Sequence, residues 1–528
     1  MLKLSRRSVL AGSVAAAAVS VMSRGTGWAQ ASGNPRIMTH IVGAEPPTYD
    51  LHASQTSYVP QTIAPCYSTL LKFDAANYPQ IVGDLAESWE TSDDLMTYTF
   101  HLAEGITFHD GTPCTAEDIK ASFERILTPP EGVVAIRQSE LADIDSIEVV
   151  DPRTVRFTMK TLNVAMLNNF ANPWHVIYSA AKLAENPNYP ATEVMGTGPF
   201  RLENHEIGVS VRLVRHDGYH VAGQPALDEI HANFVSGPAI TTALSAGQAD
   251  GMFQFITPQQ RDSIAQVQGD AFVFDESLLN SLIYATFNCN TPPFDDPRVR
   301  RALHLAVDRH LGDQALQAIS LLRFANGYFA PGSRFSPSVE EIAALPGYSH
   351  DIEASRAEAR ALLEEAGQSN LTIRFTTRNL PPFEPPTVFM ADQWRRIGVQ
   401  TEIVKLDTPQ YFAALEAHDF DVALEGYNFN TDDPNDILQK FLPESSINYA
   451  GNTDSELSAL YAAIKVERDD ARRIEMARAY QVRLLDQCYY TPLLWNRRIT
   501  ARRANLQGWY PTPVLAIGLQ FADMQFSE

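Results

Sequence analysis

The second half of the chain alternates between strand-like and helical hydrophobic patterns. Leu371, Ile373 and Phe375 are apolar at every second position, as in a half-buried strand. Further strand-like segments lie at 399–406 and 421–427. Helical patterns precede or separate these segments, at 354–366, 388–397 and 410–417. Strands that alternate with helices at this spacing predict a parallel α/β unit.

The first half of the chain has a different pattern. Strand-like segments separated by loops and by one or two helices predict an α+β mixture, at 98–102, 146–150 and 154–159. Thr115 and the acidic residues after it have the spacing of a capping box, so a helix is expected to begin here and to end before Pro129. Another helix is expected to begin at Asp296, because a proline follows in the first helical position.

The first 31 residues have the features of an export signal. A basic segment at 3–7 precedes an uncharged, alanine-rich stretch at 8–23, and a small-x-small cleavage site ends at Ala31. The uncharged stretch is shorter than the ~20 residues that a membrane-spanning helix needs. A signal peptide is therefore predicted over 1–31, with cleavage near Ala31 and a soluble, periplasmic product.

Two details of this segment concern the export route and the membrane. The sequence SRRSVL at 5–10 resembles the twin-arginine export motif, with Val9 where that motif usually has phenylalanine. General secretion is the alternative route. Ser13 occupies the position of the lipidated cysteine in a lipoprotein box, so no lipid anchor is expected at that site.

The composition excludes several classes of protein. The 528 residues suggest about three domains, and 63 acidic against 41 basic side chains give a net charge of −22, which argues against binding to nucleic acid or to anionic lipid. The four cysteines are too few for a disulfide scaffold and are interpreted as buried thiols, at positions 66, 114, 289 and 488. No motif of a zinc protease, a serine hydrolase or a phosphate-binding loop occurs in the sequence, and the scattered histidines predict no metal site.

Six sequence blocks, in order, resemble the family 5 solute-binding proteins, the extracytoplasmic receptors of dipeptide, oligopeptide and nickel ABC importers. The blocks are 79–89 with DLAESW, 98–118 with YTFHL, FHDGTP and TAED, 196–200 with GTGPF, 225–230 with PALDEI, 292–303 with PPFDDPRVRRAL, and 426–434 with GYNFNTDDP. They are spread over most of the chain after the signal, which makes the resemblance specific.

The resemblance implies an α/β periplasmic binding protein fold with two lobes around a hinged cleft and an extra inserted α+β subdomain. The implied division is domain I (32–64, 196–286 and 501–528) and inserted subdomain II (65–195) in lobe 1, with domain III (287–500) as lobe 2. It also implies a monomeric receptor without cofactor, metal or catalysis. The implied partners are a small-molecule or short-peptide ligand and the transmembrane permease subunits of an ABC transporter, with no nucleic acid.

The resemblance also implies where the two charged ends of a dipeptide would bind. Dipeptide receptors hold the ligand carboxylate with an arginine that matches Arg378, at the start of a proline-rich loop. The aspartate that binds the ligand ammonium matches Asn430, whose amide carries no charge and so loses a contribution on the order of 1 kcal/mol. Asp432, two residues further on, is the candidate substitute.

The same loop supplies the other residues of the predicted site. Tyr427 matches a tryptophan of the dipeptide receptors and keeps an aromatic wall, while Phe429 replaces a glycine and is expected to fill space in the cleft. Asn428 lies between them and completes the predicted set. The arginines and the histidine of the nickel receptors have no clear match in this chain.

The expected function is therefore that of a periplasmic receptor that delivers a small organic solute to an ABC importer. A peptide or peptide-like carboxylate is the favoured ligand. A nonpeptide ligand such as an opine, an oligosaccharide or a metal–chelate complex is the alternative within the same class. An exported hydrolase is less favoured because its motifs are absent, and a receptor diverted to sensing or chaperoning is a third class.

Overall fold

The structure, a computed structural model, describes residues 35–527, so the predicted signal peptide and its cleavage site lie outside the described residues. Within 35–527 the chain forms nineteen strands and fifteen α-helices. The strands are β1 Ile37–Val42, β2 Leu71–Phe73, β3 Ile81–Gly83, β4 Ala86–Thr91, β5 Thr97–Leu102, β6 Ile144–Asp151, β7 Thr154–Met159, β8 Phe200–Glu206, β9 Ser210–Arg215, β10 Glu229–Phe234, β11 Gly251–Met252, β12 Phe272–Phe287, β13 Leu322–Phe324, β14 Thr372–Arg378, β15 Gln400–Leu406, β16 Val422–Asn428, β17 Tyr490–Arg503, β18 Leu506–Gln507 and β19 Gln525–Phe526. The helices are α1 Tyr58–Ile63, α2 Ala116–Leu127, α3 Met166–Phe170, α4 Ala180–Glu185, α5 Ala239–Ser245, α6 Pro258–Gln268, α7 Pro297–Leu305, α8 Arg309–Leu316, α9 Val339–Ala343, α10 Ile352–Glu365, α11 Glu384–Arg395, α12 Thr408–Glu416, α13 Pro434–Gln439, α14 Ser455–Val466 and α15 Asp470–Gln487.

The predicted α/β unit is confirmed. β14 pairs in parallel with β15 on one side and with β16 on the other, and α11 and α12 lie between these strands in the chain. The predicted start of α11 was wrong, because the helix begins at Glu384 rather than at residue 388. Pro385 and Pro386 fall in its first turn, where the missing backbone N–H is not needed and the fixed φ favours a helix.

The predicted α+β mixture in the first half is also confirmed. β4, β5, β7 and β6 form a separate antiparallel sheet in that order, and α2 packs on it. The capping box holds the start of α2, since the Asp118 carboxylate accepts a hydrogen bond from the backbone nitrogen of Thr115 at 2.7 Å. Four phenylalanines from the sheet and its helices pack edge to face in the centre of this core, at positions 100, 123, 157 and 170.

Two long strands, β12 and β17, run through the middle of the largest sheet, which has eleven strands. Their first contact zone pairs 272–278 with 497–503, and their second pairs 282–286 with 490–495. Between the zones the register shifts at Leu278 and Leu282, which marks a β-bulge. β11 pairs with the end of β17 near Ala501, and β16 pairs with the opposite end of β12.

The two ends of these strands belong to different hydrophobic cores. Phe272 and Ala501 pack in a core with residues of β1 and α5, whereas Ile283 and Leu494 pack with residues of α7, α11 and β14. We call the part built on β1–β11 and α1–α6, with 504–527, lobe 1. The part built on β13–β16 and α7–α15 is lobe 2. The bulge at 279–281 is therefore the place where the strands pass from one lobe to the other.

The four cysteines are free thiols in the structure: Cys66, Cys114 and Cys488 are buried and Cys289 is half-buried. Burial raises the pKa of Cys289 to about 11, so the neutral thiol prevails at pH 7 and reacts slowly. We expect a reductant to leave the melting temperature of the protein unchanged, as measured by circular dichroism. A fall of more than about 5 °C would show instead that a disulfide stabilises the fold.

Candidate ligand-binding site

The predicted site residues lie at one edge of the α/β unit of lobe 2. Arg378 is the last residue of β14, and Tyr427 and Asn428 end β16. Because β14 and β16 are parallel neighbours, their carboxyl ends open on the same edge of the sheet, where α/β proteins bind their ligands. Phe429, Asn430 and Asp432 follow in the loop that leads to α13.

Arg378 is half-buried in an aromatic environment. The centre of its guanidinium group lies 3.9 Å from the ring centroid of Phe383, 5.7 Å from that of Tyr411 and 5.6 Å from that of Phe412. Burial lowers the pKa of Arg378, and the nearby Tyr411 and Glu425 oppose that shift. Its Nε atom is buried without a hydrogen-bond partner in the described part of the chain. The guanidinium group therefore has donors to spare.

Tyr427 and Phe429 form an aromatic pair beside the bulge at 279–281, which we call the hinge. Their ring centroids are 5.0 Å apart, and Phe429 is buried against Trp495 of β17 at 5.8 Å. The backbone nitrogen of Phe429 donates to the carbonyl of Asn280 in the bulge at 2.8 Å. Asn428 between them is exposed. Phe429 thus occupies space inside lobe 2 and connects the loop to the hinge.

Asn430 faces lobe 1. Its amide nitrogen lies 3.4 Å from Oε1 of Glu140, which belongs to a short 3₁₀ helix, Gln138–Leu141. The carboxylate of Asp436 is fixed close by, since its Oδ2 accepts from the backbone nitrogen of Thr431 at 2.8 Å. Burial raises the pKa of Asp436 to about 7, and the charge of Glu140 adds to that shift. Two carboxyl groups from opposite lobes therefore lie near Asn430.

Asp432 lies half-buried in the same loop. Its Oδ1 has no hydrogen-bond partner among residues 35–527, and burial raises its pKa to about 7. Asp433 beside it is engaged elsewhere, in a buried ion pair with Arg473 at 2.6 Å. Of the two adjacent aspartates, only Asp432 thus has an unpaired oxygen.

Besides Glu140, the structure brings to the cleft another charged residue of lobe 1 that the sequence had not indicated, Arg137. It is 8% exposed, its guanidinium centre lies 4.0 Å from the ring centroid of Trp174, and it donates to the carbonyl of Ser54 at 3.0 Å. Burial lowers the pKa of Arg137 to about 10, and the nearby Glu140 and Tyr427 oppose that shift. Its Nε has no partner within the described chain.

Asn280 is a second residue that the sequence had not indicated. Its side chain is buried in the bulge, and its Nδ2 has no hydrogen-bond partner in the described residues. Its backbone nitrogen donates to the carbonyl of Pro513 in lobe 1 at 2.7 Å. Asn280 therefore contacts both lobes and holds a free donor at the hinge.

Direct bonds between the lobes flank the Asn430 region. Lys465 of lobe 2 forms an ion pair with Asp143 of lobe 1 at 2.7 Å, and the amide of Asn435 donates to Asn163 at 2.9 Å. The polar cavity between these segments holds about 40 Å³, which is room for water and not for a peptide. The lobes are therefore in contact on this side of the cleft.

The histidines His101 and His109 are not arranged as a metal site in the described part of the chain. His101 and His109 contact Thr154 and the carbonyl of Gly198, both at 3.3 Å. Among residues 35–527 no group of three or more histidine, cysteine or acidic side chains is arranged to hold a metal ion. In the same residues no helix combines the length and the apolar character needed to cross a membrane.

Comparison with known proteins identifies the family. The family described as bacterial extracellular solute-binding proteins, family 5, matches residues 80–449. The chain belongs to this family. The expected family and the two-lobed α/β fold are thus confirmed, and the solute-binding protein serves, like its family, as an extracytoplasmic receptor for an ABC importer.

Individual relatives cover nearly the whole solute-binding protein. The glutathione-binding protein GsiB of Escherichia coli K12 is 26% identical over 456 residues, which are 84% of this chain and 86% of that protein. The structure of AgaA from A. tumefaciens R10 with agropinic acid has a TM-score of 0.77 at 25% identity, over 93% of this chain and 99% of that one. DppA from Helicobacter pylori, with a peptide, shares the fold with a TM-score of 0.79 at 21% identity, over 93% and 98% of the two chains.

Asp436 makes the stability of the solute-binding protein depend on pH. Its pKa is about 7 in the fold against an ordinary value of about 3.9, so its stabilising contribution is complete below about pH 4 and is lost as the pH rises through 7. Asp436→Asn keeps an acceptor for Thr431 and removes the charge. Relative to wild type, the variant should gain unfolding free energy of about 2–3 kcal/mol between pH 5 and pH 8 in urea titrations.

The control for this pH dependence is Asp145→Asn, since Asp145 is exposed. This exposed substitution shows how much an Asp→Asn change alone alters the free energy of unfolding at each pH. A difference for Asp436→Asn that is the same at pH 5 and pH 8 would contradict the raised pKa of the buried Asp436 carboxyl group.

Proposed function

We propose that the solute-binding protein binds a peptide or a peptide-like carboxylate and holds its carboxylate group at Arg378. The observation that supports this proposal is an arginine whose charge has no partner at the carboxyl edge of the sheet. Among residues 35–527 no carboxylate forms an ion pair with Arg378. A partly desolvated guanidinium group gains most from a planar, bidentate anion, and a carboxylate has that shape.

The aromatic surroundings of Arg378 favour this role over a structural one. Phe383 and Tyr411 hold the guanidinium plane in place through stacking and cation–π contacts, so little side-chain freedom is lost when a ligand binds. A solvated surface arginine has neither property.

The other end of the ligand is proposed to face Asn430. The family's aspartate is absent at this position, but Glu140 of lobe 1 and Asp436 of lobe 2 bring carboxyl groups to the same place. An ammonium group bound between the lobes would neutralise Glu140 and compensate for the missing aspartate. It would also favour the closed arrangement, because it contacts both lobes at once.

The relatives suggest two classes of ligand. The names of GsiB and of the AgaA complex state that they bind glutathione and agropinic acid. Glutathione is a peptide with carboxylates at both ends and one ammonium group, so it matches both proposed contacts. An opine such as agropinic acid provides the carboxylate and is the alternative ligand class. Native mass spectrometry of the purified protein would identify the ligand that it carries.

The cellular setting is part of the proposal. We propose that residues 1–31 are a twin-arginine signal peptide cleaved near Ala31, and that the mature receptor is a soluble periplasmic monomer without a lipid anchor or catalytic activity. The proposed domains are 32–64 with 196–286 and 501–528, the inserted 65–195, and 287–500. Mass determination of the exported protein and analytical ultracentrifugation test the cleavage site and the monomer.

Removal of Arg378 tests the carboxylate site. Arg378→Ala should weaken the binding of the co-purifying ligand by about 2–4 kcal/mol in calorimetry, because the ligand carboxylate would lose its charged partner inside the cleft. The melting temperature of the empty protein should change little, since Arg378 forms no ion pair with any residue of the described range 35–527. Arg374→Ala is the matched control, because Arg374 lies on the same strand and pairs with Asp419 at the protein surface. Equal affinities for Arg378→Ala and wild type would place the carboxylate anchor elsewhere.

Restoring the family's charge tests the other end. Asn430→Asp places a third carboxyl group beside Glu140 and Asp436. We expect tighter binding of a ligand that has an ammonium group, and weaker binding of its N-acetylated form, because only the cation offsets the added repulsion. Calorimetry with glutathione and N-acetylglutathione compares the two. Identical effects on both ligands would exclude an ammonium site at Asn430.

A further inference from the structure

A buried lysine lies behind the edge of the sheet that carries Arg378. Lys440 follows α13, is 2% exposed, and donates from Nζ to the carbonyl of Ile447 at 2.8 Å. The ring centroids of three tyrosines surround the ammonium group, Tyr449 at 5.0 Å, Tyr490 at 5.4 Å and Tyr284 at 5.9 Å. Aromatic rings stabilise a cation at these distances, but a buried ammonium group still needs a counter-ion.

The counter-ion of Lys440 is Glu425 of β16, which is 6% exposed. Its Oε2 lies 3.6 Å from Nζ of Lys440, and its Oε1 accepts a hydrogen bond from the hydroxyl of Thr286 in β12. Both carboxylate oxygens therefore already have a partner. The single negative charge of Glu425 is therefore already paired with the ammonium group of Lys440.

Glu425 lies level with Arg378 on the neighbouring strand. The parallel register places Thr376 opposite Ala423, and two further residues along each strand bring Arg378 beside Glu425. The charge of Glu425 supports the charged form of Arg378 against burial. Even so, no ion pair within 4.0 Å joins the two in the described chain.

We propose that Lys440 is a positioning residue that keeps Arg378 free for the ligand by holding Glu425 as its own counter-ion. Three charged groups share this region, two positive and one negative, so one positive charge remains without a partner. The Lys440–Glu425 contact leaves that charge on Arg378, at the edge where a ligand enters. An anionic group of the ligand then completes the charge balance.

This inference rests on the proposed function, in which Arg378 binds the ligand carboxylate. It adds the reason why Arg378 does not form an ion pair with the neighbouring Glu425. It also specifies the ligand class. One negative charge of the ligand neutralises the remaining positive charge at this end, whereas a neutral amide or ester leaves that charge unbalanced.

The test removes the ammonium group of Lys440. Lys440→Met keeps the length of the side chain and leaves Glu425 buried without its partner, so Glu425 should turn to Arg378. In a crystal structure of the variant, the Glu425 carboxylate should lie within 4.0 Å of the Arg378 guanidinium group. Modification of Arg378 by phenylglyoxal, followed by peptide mass spectrometry, should be at least about tenfold slower than in wild type. Reduced glutathione, used as the probe in calorimetry, should bind at least about tenfold more weakly.

A second substitution separates charge from packing. In Lys440→Met/Glu425→Gln the competing negative charge is gone, so the reactivity of Arg378 and the affinity for glutathione should return to within about threefold of wild type. A purely structural role of Lys440 would not be rescued in this way. Lys440→Gln, which still donates to Ile447, replaces Lys440→Met if the latter does not fold, and the same outcomes are expected.

Two outcomes would overturn the inference. One is an Arg378 that stays apart from Glu425 and keeps wild-type reactivity in the Lys440 variants, whether or not glutathione binds. The other is a loss of affinity or reactivity that the second substitution does not restore. Arg378→Gln tests the proposed function separately. If Arg378→Gln binds glutathione as wild type does while Lys440→Met forms the Arg378–Glu425 pair, the carboxylate site is refuted and the positioning by Lys440 stands.

Discussion

β12 and β17 are paired along their length, and yet each of them is buried in two different hydrophobic cores. One end of the pair packs in lobe 1 with Phe272 and Ala501, and the other packs in lobe 2 with Ile283 and Leu494. A continuous flat ladder would fix the two cores rigidly to each other. The register shift at 279–281 relieves that constraint, because a bulge increases the local twist and interrupts the ladder without breaking the strands. The cleft and the placement of every residue around it follow from this arrangement.

The charges of the candidate site are distributed between the lobes. Lobe 2 supplies the half-buried Arg378 and lobe 1 the buried Arg137, and among residues 35–527 the Nε atom of each has no hydrogen-bond partner. Carboxyl groups meet in the same way near Asn430, where Glu140 and Asp436 come from opposite sides. Like charges that approach on closure oppose it, and a bound ligand of opposite charge reverses the sign. In the proposed function, ligand binding therefore favours the approach of the lobes, because the charged groups come from both of them.

Local patterns predicted the parts of the fold that depend on local physics. The capping box of α2, the parallel strands β14–β16 and their helices each follow from periodicity and from residues within one or two turns. The site residues that the resemblance indicated, Arg378 and those of the continuous segment 427–432, stay a prediction; the structure places them at one edge of the sheet. Arg137 and Glu140 carry no local signal, because their role depends on contacts with residues almost 300 positions away. The sequence likewise indicates no special role for Lys440 at the end of α13. Its contact with Glu425 depends on the tertiary structure, in which β16 pairs with β12.

Asn280 in the bulge contacts the C-terminal segment through its backbone nitrogen and the loop that follows β16 through its backbone carbonyl. These two groups belong to consecutive planar peptide units that meet at the Cα atom of Asn280, so a change in φ or ψ of this residue reorients one hydrogen bond relative to the other. Phe429 is attached to that carbonyl, and the rest of the loop from Asn430 onward follows it. A different backbone conformation at Asn280 would therefore place the loop from Phe429 onward differently relative to the C-terminal segment of lobe 1. The position of the predicted site residues in this loop and the relative position of the two lobes are thus set at one and the same residue.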